Sequence, residues 1–218
     1  MDIDNATTTD NSTINTVSET GEAPVWTAET ADWYAANFGD SATNRVAVDY
    51  LIEQGFLSSC HSMVVDIGCG TGTALRHIAE ELQTSKVTLM GVDPTARMLE
   101  IAREQTQSMC PTFDFTRFQW RLAGAEGLPL ADNSANVVMA LDVLDHVHDL
   151  GKSLKEIHRI LKPDGTLAIG KDGSLGEDSN TELHLQCARE HGLVVHSIRK
   201  LAETDDNVAM TVVILKKK

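Results

Sequence analysis

Hydrophobic and polar positions along this chain switch repeatedly between two periods. Val64, Val65 and Ile67 form an apolar run broken only by Asp66, the pattern of a strand covered on both faces. Leu75, Ile78 and Leu82 follow at helical spacing and predict a helix to about Gln83. Residues 86–93 read as a second strand, and residues 95–107, through Met98, Leu99 and Ala102, as a helix. Phe118, Trp120 and Leu122 alternate as a third strand, and residues 137–141 are a continuous apolar fourth. Leu150, Leu154, Ile157 and Leu161 share one helical face, Pro163-Asp164-Gly165 is expected to stop that helix, and residues 166–169 make a fifth strand. After a loop at 170–180 and a helix at 181–190, two runs at 193–201 and 208–215 flank a short polar link and predict an antiparallel hairpin. Strand and helix alternating in this way imply a parallel sheet with right-handed crossovers, to which the hairpin adds one antiparallel strand.

Ahead of this pattern the character differs. Residues 1–24 are rich in Thr, Asn, Asp and Ser and cannot bury enough surface to offset their ordering entropy, so a disordered tail is expected. One domain is expected over 25–218. Within it, Thr27 or Thr30 could cap a helix that carries Trp33, Tyr34 and Phe38, and a second helix is expected at 44–54, ended by Gly55. The stretch 25–60 is read either as a packing segment or as a lid whose aromatic residues close over a pocket.

Composition narrows the function. The 218 residues carry a net charge of −14, which opposes a nucleic-acid footprint. Lys216-Lys217-Lys218 is read as a solvated tail. No apolar run reaches the roughly 20 residues of a membrane span, and the first residues do not resemble a secretory signal, so the expectation is a cytoplasmic protein without membrane insertion. The four cysteines have no C-x-x-C spacing and the eight histidines no paired-ligand spacing, so no metal is expected.

The chemistry centres on the junction between the first strand and its helix. Gly68, Gly70 and Gly72 stand at alternate positions, where the backbone can turn sharply and approach a ligand with no side chain between. The helix that follows presents unpaired N–H groups and a partial positive charge. The spacing is G-x-G-x-G, not the dinucleotide fingerprint G-x-G-x-x-G. Asp93 ends the second strand about 25 residues later, where open α/β sheets hold ribose hydroxyls. Asp142, Asp145, His146 and His148 lie in a polar loop at the end of the fourth strand, a ligand-binding position in such sheets.

Four segments in order carry a resemblance: residues 65–72 (Val-Asp-Ile-Gly-Cys-Gly-Thr-Gly), Gly91-Val92-Asp93, residues 125–130 (Ala-Glu-Gly-Leu-Pro-Leu) and residues 159–165 (Arg-Ile-Leu-Lys-Pro-Asp-Gly). The sequence resembles the class I S-adenosylmethionine-dependent methyltransferases, most closely the small-molecule branch of ubiquinone/menaquinone-type C-methyltransferases. The resemblance implies a Rossmann-like three-layer α/β sandwich with a seven-stranded, mostly parallel sheet in the order 3-2-1-4-5-7-6, strand 7 antiparallel. S-adenosylmethionine is the implied co-substrate and a small molecule the expected acceptor. Gly68, Cys69, Gly70 and Gly72 would meet the methionine part of the cofactor, Asp66 its ammonium group and Asp93 its ribose. Pro94, Met98, Ala125 and Glu126 would border the adenine, and Leu141, Asp142 and Val143 would lie beside the cofactor.

Three departures from the family pattern stand out. Gly124 replaces an Asp that binds the adenine amino group, Ala135-Asn136 replaces a common Phe-Asp pair, and Asp145 replaces the first His of a Leu-His-His motif. His146 is the candidate general base or acceptor contact, against a purely structural hydrogen bond. Methyl transfer itself asks mainly for alignment and exclusion of water. The alternative reading is a catalytically silent cofactor-binding subunit that activates or stabilises a partner.

Overall fold

The computed structural model describes residues 27–39, 42–58, 60, 62–82, 86–108, 114–172, 179–202 and 209–218. The expected N-terminal tail lies outside them. Two helices, α1 (Ala28–Phe38) and α2 (Ala42–Glu53), precede β1 (Met63–Ile67), α3 (Thr73–Glu81), β2 (Thr88–Asp93), α4 (Ala96–Gln107) and β3 (Phe118–Leu122). Then follow β4 (Ala135–Leu141), α5 (Leu150–Ile160), β5 (Leu161–Asp172), α6 (Ser179–Glu190), β6 (Leu193–Ala202) and β7 (Ala209–Lys217).

The seven strands form one sheet in the order β3-β2-β1-β4-β5-β7-β6. Strands β1 to β5 pair in parallel, and β7 runs antiparallel to both β5 and β6. The period of two along each strand divides the core between the two faces. Val65, Val138 and Ala140 pack with Leu154, Ile157 and Ile160 of α5 and Leu185 and Ala188 of α6. Val64, Val137 and Met139 pack with Ala47, Val48 and Leu51 of α2 and Leu75 and Ile78 of α3. The result is the expected three-layer sandwich. Among the described residues no helix is long and apolar enough to cross a membrane, and no cluster of three or more His, Cys, Asp or Glu could hold a metal ion.

The fifth strand departs from its expected start. Helix α5 ends at Ile160, and β5 begins at Leu161 without an intervening turn. Leu161 pairs with Ala135, and the register then jumps to Val137 with Thr166. Residues 162–165 bulge out of the ladder, since Pro163 has no N–H to donate and Asp164 takes a left-handed φ of 61°. The breaker signal was thus a bulge within the strand rather than a turn before it.

Both candidate caps of α1 work together. Thr30 N–H donates to Thr27 Oγ1 over 3.2 Å, and Thr27 N–H donates to Thr30 Oγ1 over 2.8 Å, a reciprocal capping box. Helix α2 is a packing element, with Ala47, Val48 and Leu51 fully buried. Helix α1 buries only Ala31 and is tied to the domain by polar contacts. Arg97 Nε donates to Asp32 Oδ1 over 2.8 Å, and Thr71 and Thr73 both donate their hydroxyls to Gly39 O.

Candidate functional site

The glycine turn leaves β1 with positive φ at Gly68, Gly70 and Gly72. A Cβ at Gly68 would stand 1.9 Å from Val143 Cγ2, whereas one at Gly70 would meet nothing within 4 Å. Gly68 therefore permits close packing of the turn against the loop after β4, and Gly70 borders open space. Cys69 N–H donates to Val92 O over 3.1 Å and Gly72 N–H to Cys69 O over 2.8 Å, so the turn is fixed to the end of β2. The Cys69 thiol is buried and its pKa is pushed well up, by desolvation first and by Asp66 and Asp93 next. That makes it an inert packing group.

Asp93 completes this junction. Its Oδ2 accepts from Gly70 N–H over 3.0 Å and its Oδ1 from Thr95 N–H over 2.8 Å. The Thr95 side chain also hydrogen-bonds this carboxylate. Burial raises the Asp93 pKa, opposed by the Thr95 and Gly70 hydrogen bonds. Asp66, one strand over and 4% exposed, is pushed up to about 8 by desolvation and by the Asp93 charge. Pro94 is exposed just after Asp93, whereas Met98 is buried in α4.

The remaining residues come from the ends of β3, β4 and β5. Ala125 is buried. Glu126 Oε1 accepts from His148 N–H over 2.8 Å and Asp149 N–H over 3.2 Å, so this carboxylate joins the loop after β3 to the loop after β4. A Cβ at Gly124 would stand 2.8 Å from Glu126 Oε2, which places the second carboxylate oxygen beside the position of the missing Asp. Arg159 of α5 holds the same segment by donating to Leu128 O over 2.9 Å and to Leu130 O over 2.7 Å. Leu141 ends β4 buried. Asp142 follows with a left-handed φ of 54°, an uncommon conformation for a non-glycine residue. It is held there by its N–H bond to Gly170 O over 3.0 Å and by its neighbour Val143 against Gly68.

Tyr34 reaches this cleft from α1. Burial raises its pKa, and the Asp142 and Asp93 charges raise it further. Trp33 and Phe38 remain 43% and 53% exposed, packed edge-on at 5.5 Å, with Tyr34 and Phe38 at 5.8 Å. The three aromatic residues thus form one group, of which Tyr34 lies within electrostatic reach of Asp142 and Asp93.

His146 is exposed at the end of a single 3-10 turn, its N–H donating to Val143 O over 2.9 Å. Its neighbour Asp145 is the more engaged residue. The Asp145 carboxylate lies 3.2 Å from Lys171 Nζ and 3.3 Å from His184 Nε2. His184 is buried on α6, and desolvation lowers its pKa, with Asp145 opposing and Lys171 reinforcing the fall. Sequence reasoning missed Lys171 and His184. The available signals were a lysine at the end of an apolar strand and a histidine next to Leu185 on a buried helical face.

Comparison with known proteins agrees with this geometry. A family described as methyltransferase domain matches residues 65–169. The chain is 34% identical over 106 residues to the ubiquinone/menaquinone biosynthesis C-methyltransferase UbiE of Geotalea uraniireducens, covering 49% of this chain and 43% of that protein. It is also 34% identical over 106 residues to 2-phytyl-1,4-naphtoquinone methyltransferase of a Nostoc species, covering 48% of this chain and 44% of that one. The matched region therefore spans less than half the length of these relatives. Among solved structures, a SAM-dependent methyltransferase from Aquifex aeolicus superposes with a TM-score of 0.69 at 17% identity, over 89% of this chain and all 100% of that one. Sheet order, glycine turn and the family match over residues 65–169 together support a class I S-adenosylmethionine-dependent methyltransferase, and the solved structure agrees in fold. S-adenosylmethionine is the co-substrate of that family.

Proposed function

We propose that the protein transfers a methyl group from S-adenosylmethionine to a small-molecule acceptor by direct displacement. The observation that carries this reading is the open space at Gly70, directly beside the Gly70–Asp93 hydrogen bond. That space suits the methionine part, and the Asp93 carboxylate at its edge suits the ribose hydroxyls. Bound S-adenosylmethionine supplies a methyl carbon already activated by its sulfonium.

The chain's own residues bind, align and exclude water. Gly68, Cys69, Gly70 and Gly72 let the backbone meet the cofactor, and Asp66 takes the ammonium. Pro94, Met98, Ala125 and Glu126 border the adenine, Met98 from within the packed wall of α4. Leu141, Asp142 and Val143 flank the methionine end. Tyr34 closes the cleft from α1, with Trp33 and Phe38 shielding it.

The acceptor side is assigned to His146 and to the Asp145–Lys171–His184 group. Lys171 follows Gly170, the residue that fixes Asp142, so this group adjoins the methionine end. Within it Asp145 and Lys171 balance each other's charge, and a neutral His184 is able to accept a proton from a hydroxyl or an activated carbon acid. One relative is named for a naphthoquinone, and the reduced quinol form of such a ring carries hydroxyls of this kind.

A screen of small phenolic, quinol and carboxylate acceptors with methyl-labelled cofactor tests the reading, with S-adenosylhomocysteine as the product measured. Calorimetry with S-adenosylhomocysteine is its control. Absence of binding overturns the cofactor assignment. Binding without transfer to any acceptor favours the silent subunit.

A further inference from the structure

The edge of the sheet opposite the glycine turn carries a cavity that methyl transfer does not use. It has a volume of about 140 Å³ and is lined by Phe56, Asn136, Lys162, Asp164, Thr166 and Lys216, among others. Asn136 opens β4, Lys162 lies in the bulge of β5, and Lys216 lies near the end of β7, in register with Thr166. Because β7 is antiparallel, these positions converge at the N-terminal edge of the parallel strands. The glycine turn follows their C-terminal ends.

Lysines at strand ends ordinarily extend into water. These two fold inward onto neutral oxygens. Lys162 Nζ donates to Ser62 Oγ over 2.6 Å and to Asn136 Oδ1 over 3.0 Å. Lys216 Nζ donates to Thr166 Oγ1 over 2.6 Å and stands 5.4 Å from the centroid of the Phe56 ring. Among the described residues, neither ammonium has a carboxylate within 4.0 Å. Asp164 is the acidic residue of the lining, and it leaves the two lysines in excess by one charge.

Asn136 Oδ1 shows the imbalance at atomic scale. It accepts from Ser62 N–H (3.1 Å), Ser62 Oγ (2.8 Å), Met63 N–H (3.2 Å) and Lys162 Nζ (3.0 Å). A carboxamide oxygen has two lone pairs, so four donors converge on an acceptor that serves two well. This concentrates positive potential beside an open cavity, in a chain whose net charge is −14. Desolvation also lowers the Lys216 pKa, and a neighbouring anion would relieve that cost.

We propose that this cavity is a binding site for a small oxyanion, a carboxylate or phosphate group held between Lys162 and Lys216. The anion takes donors that Asn136 shares poorly and bridges the start of β5 to the end of β7. It is a site separate from the cofactor cleft and independent of the methyl-transfer reading.

The test is thermal unfolding and calorimetry of the full chain with sodium phosphate, sodium acetate and sodium chloride at matched ionic strength. Phosphate or acetate should bind with one site per chain and raise the midpoint of unfolding beyond the chloride control. The stronger of the two names the anion class. Asn136→Asp puts a carboxylate of the same shape beside Lys162. It should raise the midpoint without added anion and weaken anion binding at least about tenfold. Lys216→Met should weaken binding by a similar factor while leaving S-adenosylhomocysteine affinity unchanged. An anion response no larger than that of chloride, or one that both variants retain in full, overturns the proposal. Circular dichroism of each variant separates lost binding from lost fold.

Discussion

Gly70 N–H and Asp93 Oδ2 meet at 3.0 Å across the ends of two adjacent strands. One carboxylate therefore does two things. It pins the turn after β1, and it faces the space where the ribose is assigned. Asp93→Ala removes the pin and leaves Gly70 N–H without that acceptor. S-adenosylhomocysteine affinity should fall by about 10- to 100-fold, the range expected for hydrogen bonds to a charged group. Asp93→Asn should lose less, since its carbonyl oxygen can still accept from Gly70. Calorimetric titration of both variants checks the order, and equal losses would show that charge rather than geometry is what matters.

Val143 fills the space a side chain at position 68 would need. Gly68→Ala should destabilise the chain by about 2–4 kcal/mol, combining overpacking with a left-handed φ. Gly68→Ala with Val143→Ala should recover part of that loss, because the Cγ2 clash at 1.9 Å disappears while the φ of 64° persists. Urea unfolding of the two single variants and the double gives the coupling, expected at about 0.5–3 kcal/mol. Strict additivity would mean that the turn relaxes away from Val143.

The turn, the place of Asp93 and the individual strands were legible because their signals are local or periodic, whereas the order of the strands in the sheet came from the family resemblance. Strand, glycines and helix fall within a dozen residues, and each buried strand shows its own apolar run. The start of β5 was not legible, since Pro163 speaks equally for a stop and for a bulge. What decides is the pairing of Leu161 with Ala135 in another strand. Asp145, Lys171 and His184 are a third case. They lie on three elements, and only the packing of α6 against the sheet brings them within ion-pair distance. Asn136 likewise stood out in sequence only as a departure from a common Phe-Asp pair, whereas in the fold its Oδ1 accepts from four donors.

Helix α1 is tied to the domain by polar contacts to the glycine turn and α4 rather than by a buried apolar face, which is the arrangement of a segment that opens at low cost. Arg97→Ala removes the contact to Asp32 and should increase proteolytic cleavage within α1. Added S-adenosylhomocysteine should restore protection if Tyr34 packs on the bound cofactor. Trp33 fluorescence offers an independent readout, expected to change on cofactor binding in the parent chain. If neither protection nor fluorescence responds to cofactor, α1 is a static packing element.

Asp66 gives the chain a pH dependence of definite sign. Its folded pKa is raised to about 8 from an ordinary 3.8. Between those values the folded chain keeps a proton that the unfolded chain has lost. Stability is therefore highest below pH 4 as far as this residue is concerned, and falls as pH rises towards 8. The slope is at most about 1.4 kcal/mol per pH unit for one proton. Asp66→Asn cannot ionise, so its unfolding free energy should be flatter over that window and should exceed the parent's at pH 8. The same substitution should weaken S-adenosylhomocysteine binding if Asp66 takes the ammonium. In the parent near pH 7, that binding should release a proton, because a cation beside Asp66 favours its carboxylate. Titrations in two buffers of different ionisation heat measure the release directly. Parent and variant with parallel pH–stability curves would mean that Asp66 is already ionised in the free chain.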